Sequence, residues 1–215
     1  MAFGKSSAPA FWLIAGPNGS GKSSLYGSGR DAIYGNTAIA DFGRSFWIIN
    51  PDLLALRIES TEGMSRRAAN VAAVERIEAW LEASIDAHQS VGVETVLSTG
   101  KYRRLVRAAK RRGFEIRLVY VILRTPELNI ERVRLRVKKG GHAVPIDKIK
   151  QRWQRSLRQL PWFLEQADWA LLFDNSDMLH RIGRKEGGTI TLDANASPCI
   201  QEAVGKVPTV RRGAK

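Results

Sequence analysis

Short apolar runs alternate with longer amphipathic stretches along this chain. The runs are Phe11, Trp12, Leu13, Ile14, Ala15; Phe46, Trp47, Ile48, Ile49; Val91 to Leu97; Ile116 to Leu123; and Trp169 to Phe173. Each spans four to eight residues and is bounded by turn formers or polar residues, the pattern of a buried strand. Thr189 to Leu192 reads as a short edge strand.

The intervening stretches carry helical periods. From Ser65 to His88, Ala69, Ala72, Ala73, Ile77, Trp80, Leu81 and Ile85 fall on one face, which predicts a packing helix. Tyr102 to Arg112 predicts a second helix, stopped by Gly113. Thr125 as N-cap and Pro126 at the first position open a third, running to about Lys139. Gly140 and Gly141 break it, and Ile146 to Gln159 resumes in helix after Pro145. A helix of about two turns is expected from Lys22, failing at Gly27, Ser28, Gly29.

Strands alternating with helices predict an α/β fold, a three-layer sandwich with a mostly parallel sheet and helices on both faces. At 215 residues the chain suits one domain. That domain is expected over residues 1–206, with an arginine-rich helical lid at about 126–160 and a loose basic tail from 207 to 215. No apolar run is long enough to span a membrane, and Cys199 is the single cysteine, so a reducing cytoplasm is the expected setting.

The net charge of +13 is concentrated. Residues 101–160 hold 19 Lys and Arg against 4 Asp and Glu, while the rest of the chain holds 15 against 17. Such clustering points to an anionic ligand: nucleotide phosphates, a phosphorylated substrate or nucleic acid.

The most specific chemistry follows the first strand, where residues 16 to 23 read GPNGSGKS. This is a phosphate-binding P-loop in its expected setting between strand and helix. Gly16, Pro17, Asn18, Gly19, Ser20 and Gly21 would turn backbone amides towards one centre, with Ser24 just beyond. Lys22 would reach the β and γ oxygens, and the Ser23 hydroxyl would ligate Mg²⁺. ATP is favoured over GTP, since no guanine-specific Asn-Lys-x-Asp motif occurs.

Phosphotransfer also needs a carboxylate for the attacking hydroxyl and cations for the moving phosphoryl group. Asp52 lies just past a strand's carboxyl end, and is either a catalytic base or the cap of a helix starting at Leu53. Glu94 interrupts an apolar strand, where an ionised carboxylate needs a partner or a site; it is a substrate-binding residue, a solvent-facing strand position or the buried partner of an arginine. Thr95, Ser98 and Lys101 offer hydroxyl and ammonium donors nearby, or serve as turn residues. Arg132, Arg136 and Lys139 share one helical face, and Arg152 and Arg155 share another; guanidinium forks there suit phosphate oxygens. Asp174, Asn175 and Ser176 read as an Asx turn or as neighbours of the adenine. An apolar strand ending in a metal-binding aspartate is not evident, because the run at 118–123 ends at Leu123, Arg124.

Taken together, GPNGSGKS at 16–23, NPDLLA at 50–55, VETVLSTGKY at 93–102, the stretch from TPELNIERVRLRV through GGHAVP to RSLRQLP, and FDNS at 173–176 resemble the zeta toxin family of P-loop kinases. The resemblance implies an enzyme using ATP and Mg²⁺ to phosphorylate the 3′-hydroxyl of a UDP-activated amino sugar, and a protein antitoxin as partner. It places phosphate and metal on Lys22 and Ser23, the base at Asp52, the substrate glutamate at Glu94 and phosphate-contacting arginines at Arg136 and Arg152. A polynucleotide 5′-hydroxyl kinase and a non-catalytic ATP-binding interaction protein are the rival readings.

Overall fold

The structure is a computed structural model that describes residues 8–25, 47–141, 143–208 and 210–212. Its strands are β1 (Ala10–Ala15), β2 (Trp47–Ile49), β3 (Val91–Thr95), β4 (Glu115–Ile122), β5 (Trp169–Asp174), β6 (His180–Glu186), β7 (Thr189–Leu192) and β8 (Val210–Arg212). They form one sheet in the order β2-β3-β1-β4-β5-β6-β7-β8. The first five in that order run parallel, β6 is antiparallel to both its neighbours, and β8 is parallel to β7.

Every residue of β1 is buried, as expected of a central parallel strand covered on both faces. Alternation along it divides the core. Phe11, Leu13 and Ala15 join Ile116, Leu118, Tyr120 and Ile122 on one face, while Trp12 and Ile14 join Val119, Val121, Leu171 and Phe173 on the other. The first face is covered by α2 (Arg66–Asp86), α3 (Arg103–Arg111), α5 (Ile146–Gln166) and α6 (Pro198–Val204). Leu25, in the 3-10 turn Lys22–Leu25, packs on the second. The break expected at Gly27, Ser28, Gly29 lies outside the described residues.

Two further helices complete the fold. Asn50 caps α1 (Pro51–Glu62), its Oδ1 accepting from the backbone N–H of Asp52 and Leu53 at 2.9 and 3.3 Å. Thr125 stands at the N-cap of α4 (Pro126–Lys138), which is followed by the expected glycine break.

Three expectations are corrected. The second lid helix does not end at Gln159: α5 continues through Pro161 to Gln166. A proline inside a helix costs about 3 kcal/mol. Here Leu160, Phe163 and Leu164 are all fully buried, and burial of such side chains contributes about 1.5–3 kcal/mol each, so packing outweighs the break. The region after residue 207 is not wholly a loose tail, since β8 pairs with β7, and Val207 before it is buried in the core. For the same reason β7 is an interior strand rather than an edge. Among the described residues no helix is long and apolar enough to cross a membrane.

Candidate active site

The parallel strands end on one side of the sheet, and their carboxyl ends surround the loop that follows β1. Gly16 starts that loop, its N–H donating to the Thr95 carbonyl at 3.1 Å and so tying it to the end of β3. Gly16 has φ 143°, and a Cβ there would stand 2.0 Å from the Val121 carbonyl oxygen. Only glycine lets the loop lie this close to β4.

Lys22 is 6% exposed; its Nζ donates to the Pro17 carbonyl at 3.0 Å and lies 3.8 Å from Glu94 Oε1. Burial holds its pKa below the ordinary lysine value. Glu94 and, after it, Asp52 oppose that shift, while Arg136 adds to it. The loop lysine, both candidate carboxylates and one lid arginine are therefore within electrostatic reach of one another.

Glu94 occupies the centre of this group. Its Oε2 accepts from the Ser23 hydroxyl at 2.8 Å and from Asn50 Nδ2 at 3.0 Å. The carboxylate in the apolar strand thus has partners on the phosphate side of the site, among them Ser23, Lys22 and Asn50. The carboxylate beside the loop hydroxyl thus stands on β3, the neighbour of β1 on the side away from β4. Ser23 and Glu94 together present hydroxyl and carboxylate oxygens, the donor set a magnesium ion takes.

Asp52 is exposed in the first turn of α1. The capping role weighed for it belongs to Asn50, which uses its amide at both ends: Oδ1 caps α1 and Nδ2 holds Glu94. Sequence reasoning passed over Asn50, although an asparagine followed by proline is a helix-start signal.

The lid helices rest on the loop. Asn129 of α4, fully buried, donates through Nδ2 to the Asn18 carbonyl at 2.6 Å, and Arg152 of α5 donates to Asn18 Oδ1 at 3.2 Å. Arg132 donates to the Asn175 carbonyl at 2.6 Å, and Asn175 Nδ2 in turn donates to the Ser20 carbonyl at 2.9 Å. Arg132, Arg136 and Lys139 line one cavity of about 330 Å³, so their shared face is realised. Arg155 is exposed and does not join Arg152 at the loop. Asn129 was not singled out from the sequence, because a polar residue one turn into a helix gives no signal until its partner is known.

The remaining candidates are dispersed. Thr95 Oγ1 accepts from the Leu97 N–H at 3.0 Å, a turn contact. Lys101 points towards α2, 3.4 Å from Glu78. Ser98 is half-buried and Ser24 exposed, the latter's N–H bonded to the Gly21 carbonyl at 3.2 Å. Asp174 Oδ1 accepts from the Ser176 N–H at 2.6 Å, forming the expected Asx turn.

This arrangement, a glycine loop with a buried lysine facing two carboxylates under arginine-bearing helices, coincides with a match to the family described as Zeta toxin over residues 2–180. The chain belongs to the zeta toxin family. An uncharacterized protein of Haemophilus influenzae is 29% identical over 141 residues, covering 66% of this chain and 90% of that protein. Among solved structures, one from the PezAT chromosomal toxin-antitoxin system of Streptococcus pneumoniae aligns with TM-score 0.58 at 17% identity, covering 94% of this chain and 81% of that one. The AvrRxo1-ORF1:-ORF2 complex with ATP aligns with TM-score 0.65 at 16% identity, over 94% of this chain and 64% of the other. These likenesses fix the fold: a zeta toxin-type α/β architecture with a mostly parallel sheet.

Proposed function

We propose that this zeta toxin family member is an ATP- and Mg²⁺-dependent phosphotransferase acting on a hydroxyl of a small nucleotide-linked sugar of the UDP-N-acetylglucosamine type. The observation that carries the reading is the contact of Ser23 and Lys22 with Glu94, with Asp52 and Arg136 in electrostatic reach of the same lysine. ATP as donor is supported by the loop itself and by the ATP complex of a protein with this fold. A protein antitoxin as partner is supported by the toxin-antitoxin origin of another.

The loop amides and Lys22 bind the β and γ phosphates. Asp52, exposed at the rim, accepts the proton of the acceptor hydroxyl as its oxygen attacks the γ-phosphorus; the bond from that phosphorus to the β–γ bridging oxygen breaks and ADP leaves. Arg136 and Arg152 neutralise charge on the transferring group, and the lid helices exclude water that would otherwise take the phosphate. Ser23 and Glu94 would hold Mg²⁺, which supplies charge neutralisation at the phosphate oxygens. Residues 1–206 act here as one domain, in the cytoplasm.

The test is ADP release from Mg-ATP, alone and with UDP-N-acetylglucosamine, for the wild type and Asp52→Asn. Sugar-stimulated turnover that falls by about 10²–10⁴-fold in the variant, with ATP affinity kept, supports the assignment. Loss of ATP affinity with transfer retained would remove Asp52 from the role of base, and absence of stimulation would remove the sugar nucleotide as acceptor.

A further inference from the structure

The surplus charge of residues 101–160 is sorted by the fold onto two sides of α3. On the side facing α2 the cations are paired: Lys101 with Glu78 at 3.4 Å, Arg104 with Glu82, and Arg112 with Asp86 at 2.8 Å. On the side facing α5 Lys110 lies 3.9 Å from Asp168 Oδ1, whereas no arginine meets a carboxylate among the described residues. There the Arg103 and Arg107 guanidiniums lie over the Trp162 ring, 4.8 and 5.4 Å from its centroid, and Arg103 donates to Gln159 Oε1 at 2.9 Å. Arg155 and Arg158, one turn before Gln159 and Trp162 on α5, are exposed.

The two helices run parallel, since Arg103 meets Gln159, Arg107 meets Trp162 and Lys110 meets the Gln166 carbonyl. Arginines spaced i, i+4 on α3 are separated by about 6 Å along its axis. This face of the α3–α5 seam therefore offers cationic steps along a line rather than a site for one anion. Stacking on Trp162 restrains two guanidinium planes, which lowers the entropy lost on binding.

We propose that the arginine face along the α3–α5 seam binds the phosphodiester backbone of a single-stranded nucleic acid. Its partner must be held by charge, because the half-buried Trp162 is the main apolar side chain of that face and a protein interface needs an apolar centre. A polymer of regularly spaced phosphates fits a line of guanidiniums that meet no carboxylate, and a single line matches one backbone rather than the two of a duplex. Arg103, Arg107, Arg155 and Arg158 have no part in the phosphotransfer assigned above, so this inference does not depend on the sugar-kinase reading.

The test is fluorescence anisotropy of the full chain with a labelled single-stranded RNA and DNA of about 20 nucleotides, without ATP, over a salt series. Binding is expected to weaken with salt. Arg107→Gln/Arg158→Gln should bind at least about tenfold more weakly and reduce the log–log salt slope by about 1.4, two contacts at about 0.7 each. Arg104→Gln, on the paired side, should bind like wild type, with thermal unfolding confirming that all variants fold. No binding at low salt, equal loss in Arg104→Gln, or displacement by polyglutamate as effectively as by an unlabelled strand of equal charge would each overturn the proposal.

Discussion

The Ser23 hydroxyl donates to Glu94 Oε2 at 2.8 Å across 71 positions of sequence. The contact exists because β1 and β3 are parallel neighbours, with Ile14 beside Glu94 and Ala15 beside Thr95. In P-loop NTPases the loop hydroxyl and a carboxylate hold the metal together, and the contact gives Glu94 that role in place of the substrate role the resemblance implies. Glu94→Gln is therefore expected to lower turnover by about 10²–10³-fold. Nucleotide binding measured without magnesium should change little, whereas the gain in affinity on adding magnesium should vanish. A variant that keeps that gain but loses acceptor affinity would return Glu94 to the substrate side.

Arg152 and Asn129 hold Asn18 from two helices. Hydrogen bonds from a charged donor contribute about 1.5–3 kcal/mol, so Arg152→Ala should weaken ATP binding by about ten- to a hundredfold. Arg134→Ala, on the exposed face of α4, should leave it unchanged. Isothermal titration of both variants checks the difference.

Gly16 and Gly63 both have positive φ, but for different reasons. Gly63 ends α1 at φ 65° with nothing within 4 Å of a Cβ, while Gly16 lies against the Val121 carbonyl. Gly63→Ala should cost about 1–2 kcal/mol. Gly16→Ala must in addition displace backbone and should cost more than about 3 kcal/mol. Urea midpoints of the two variants give the comparison; equal losses would show that the loop can move off β4.

Tyr120 is fully buried with its hydroxyl 2.9 Å from Ser156 Oγ, and Tyr102 is buried as well. Burial, the largest cause for each, raises both phenol pKa values above the ordinary value of 10. In the unfolded chain these groups lose their protons near pH 10, so above that pH the unfolded state binds fewer protons and stability falls as pH rises. Tyr120→Phe should cost about 1–3 kcal/mol at pH 7 by stranding the buried Ser156 hydroxyl. It should also make the alkaline decline shallower. Denaturant unfolding at pH 8 to about 11 tests both effects, and a decline unaltered in the variant would place its origin elsewhere.

What could be read from the sequence were features that local chemistry enforces. The run before Gly16 had to be a covered strand because an all-apolar segment exposes no face to water, and GPNGSGKS fixes its own turn through glycine. The helix from Ser65 and the helix begun by Thr125, Pro126 were legible for the same reason. Other features were set by contacts distant in sequence. Pro161 reads locally as a helix end, yet the burial of Leu160, Phe163 and Leu164 carries α5 past it. Val210–Arg212 reads as a tail because three residues carry no pattern of their own until β7 offers them a partner.

The candidate site divides along the same line. Sequence alone named Lys22, Ser23, Asp52, Glu94 and Arg152, since each residue type is costly or unusual where it stands. Tertiary structure decided their relations: strand order brought Glu94 onto Ser23, Asn50 took the cap and left Asp52 open, and parallel packing of α3 on α5 separated paired from unpaired arginines. A side chain's chemistry is carried by its identity, but its role depends on which distant group lies within about 3 Å, and that distance is set by the sheet order and the helix packing.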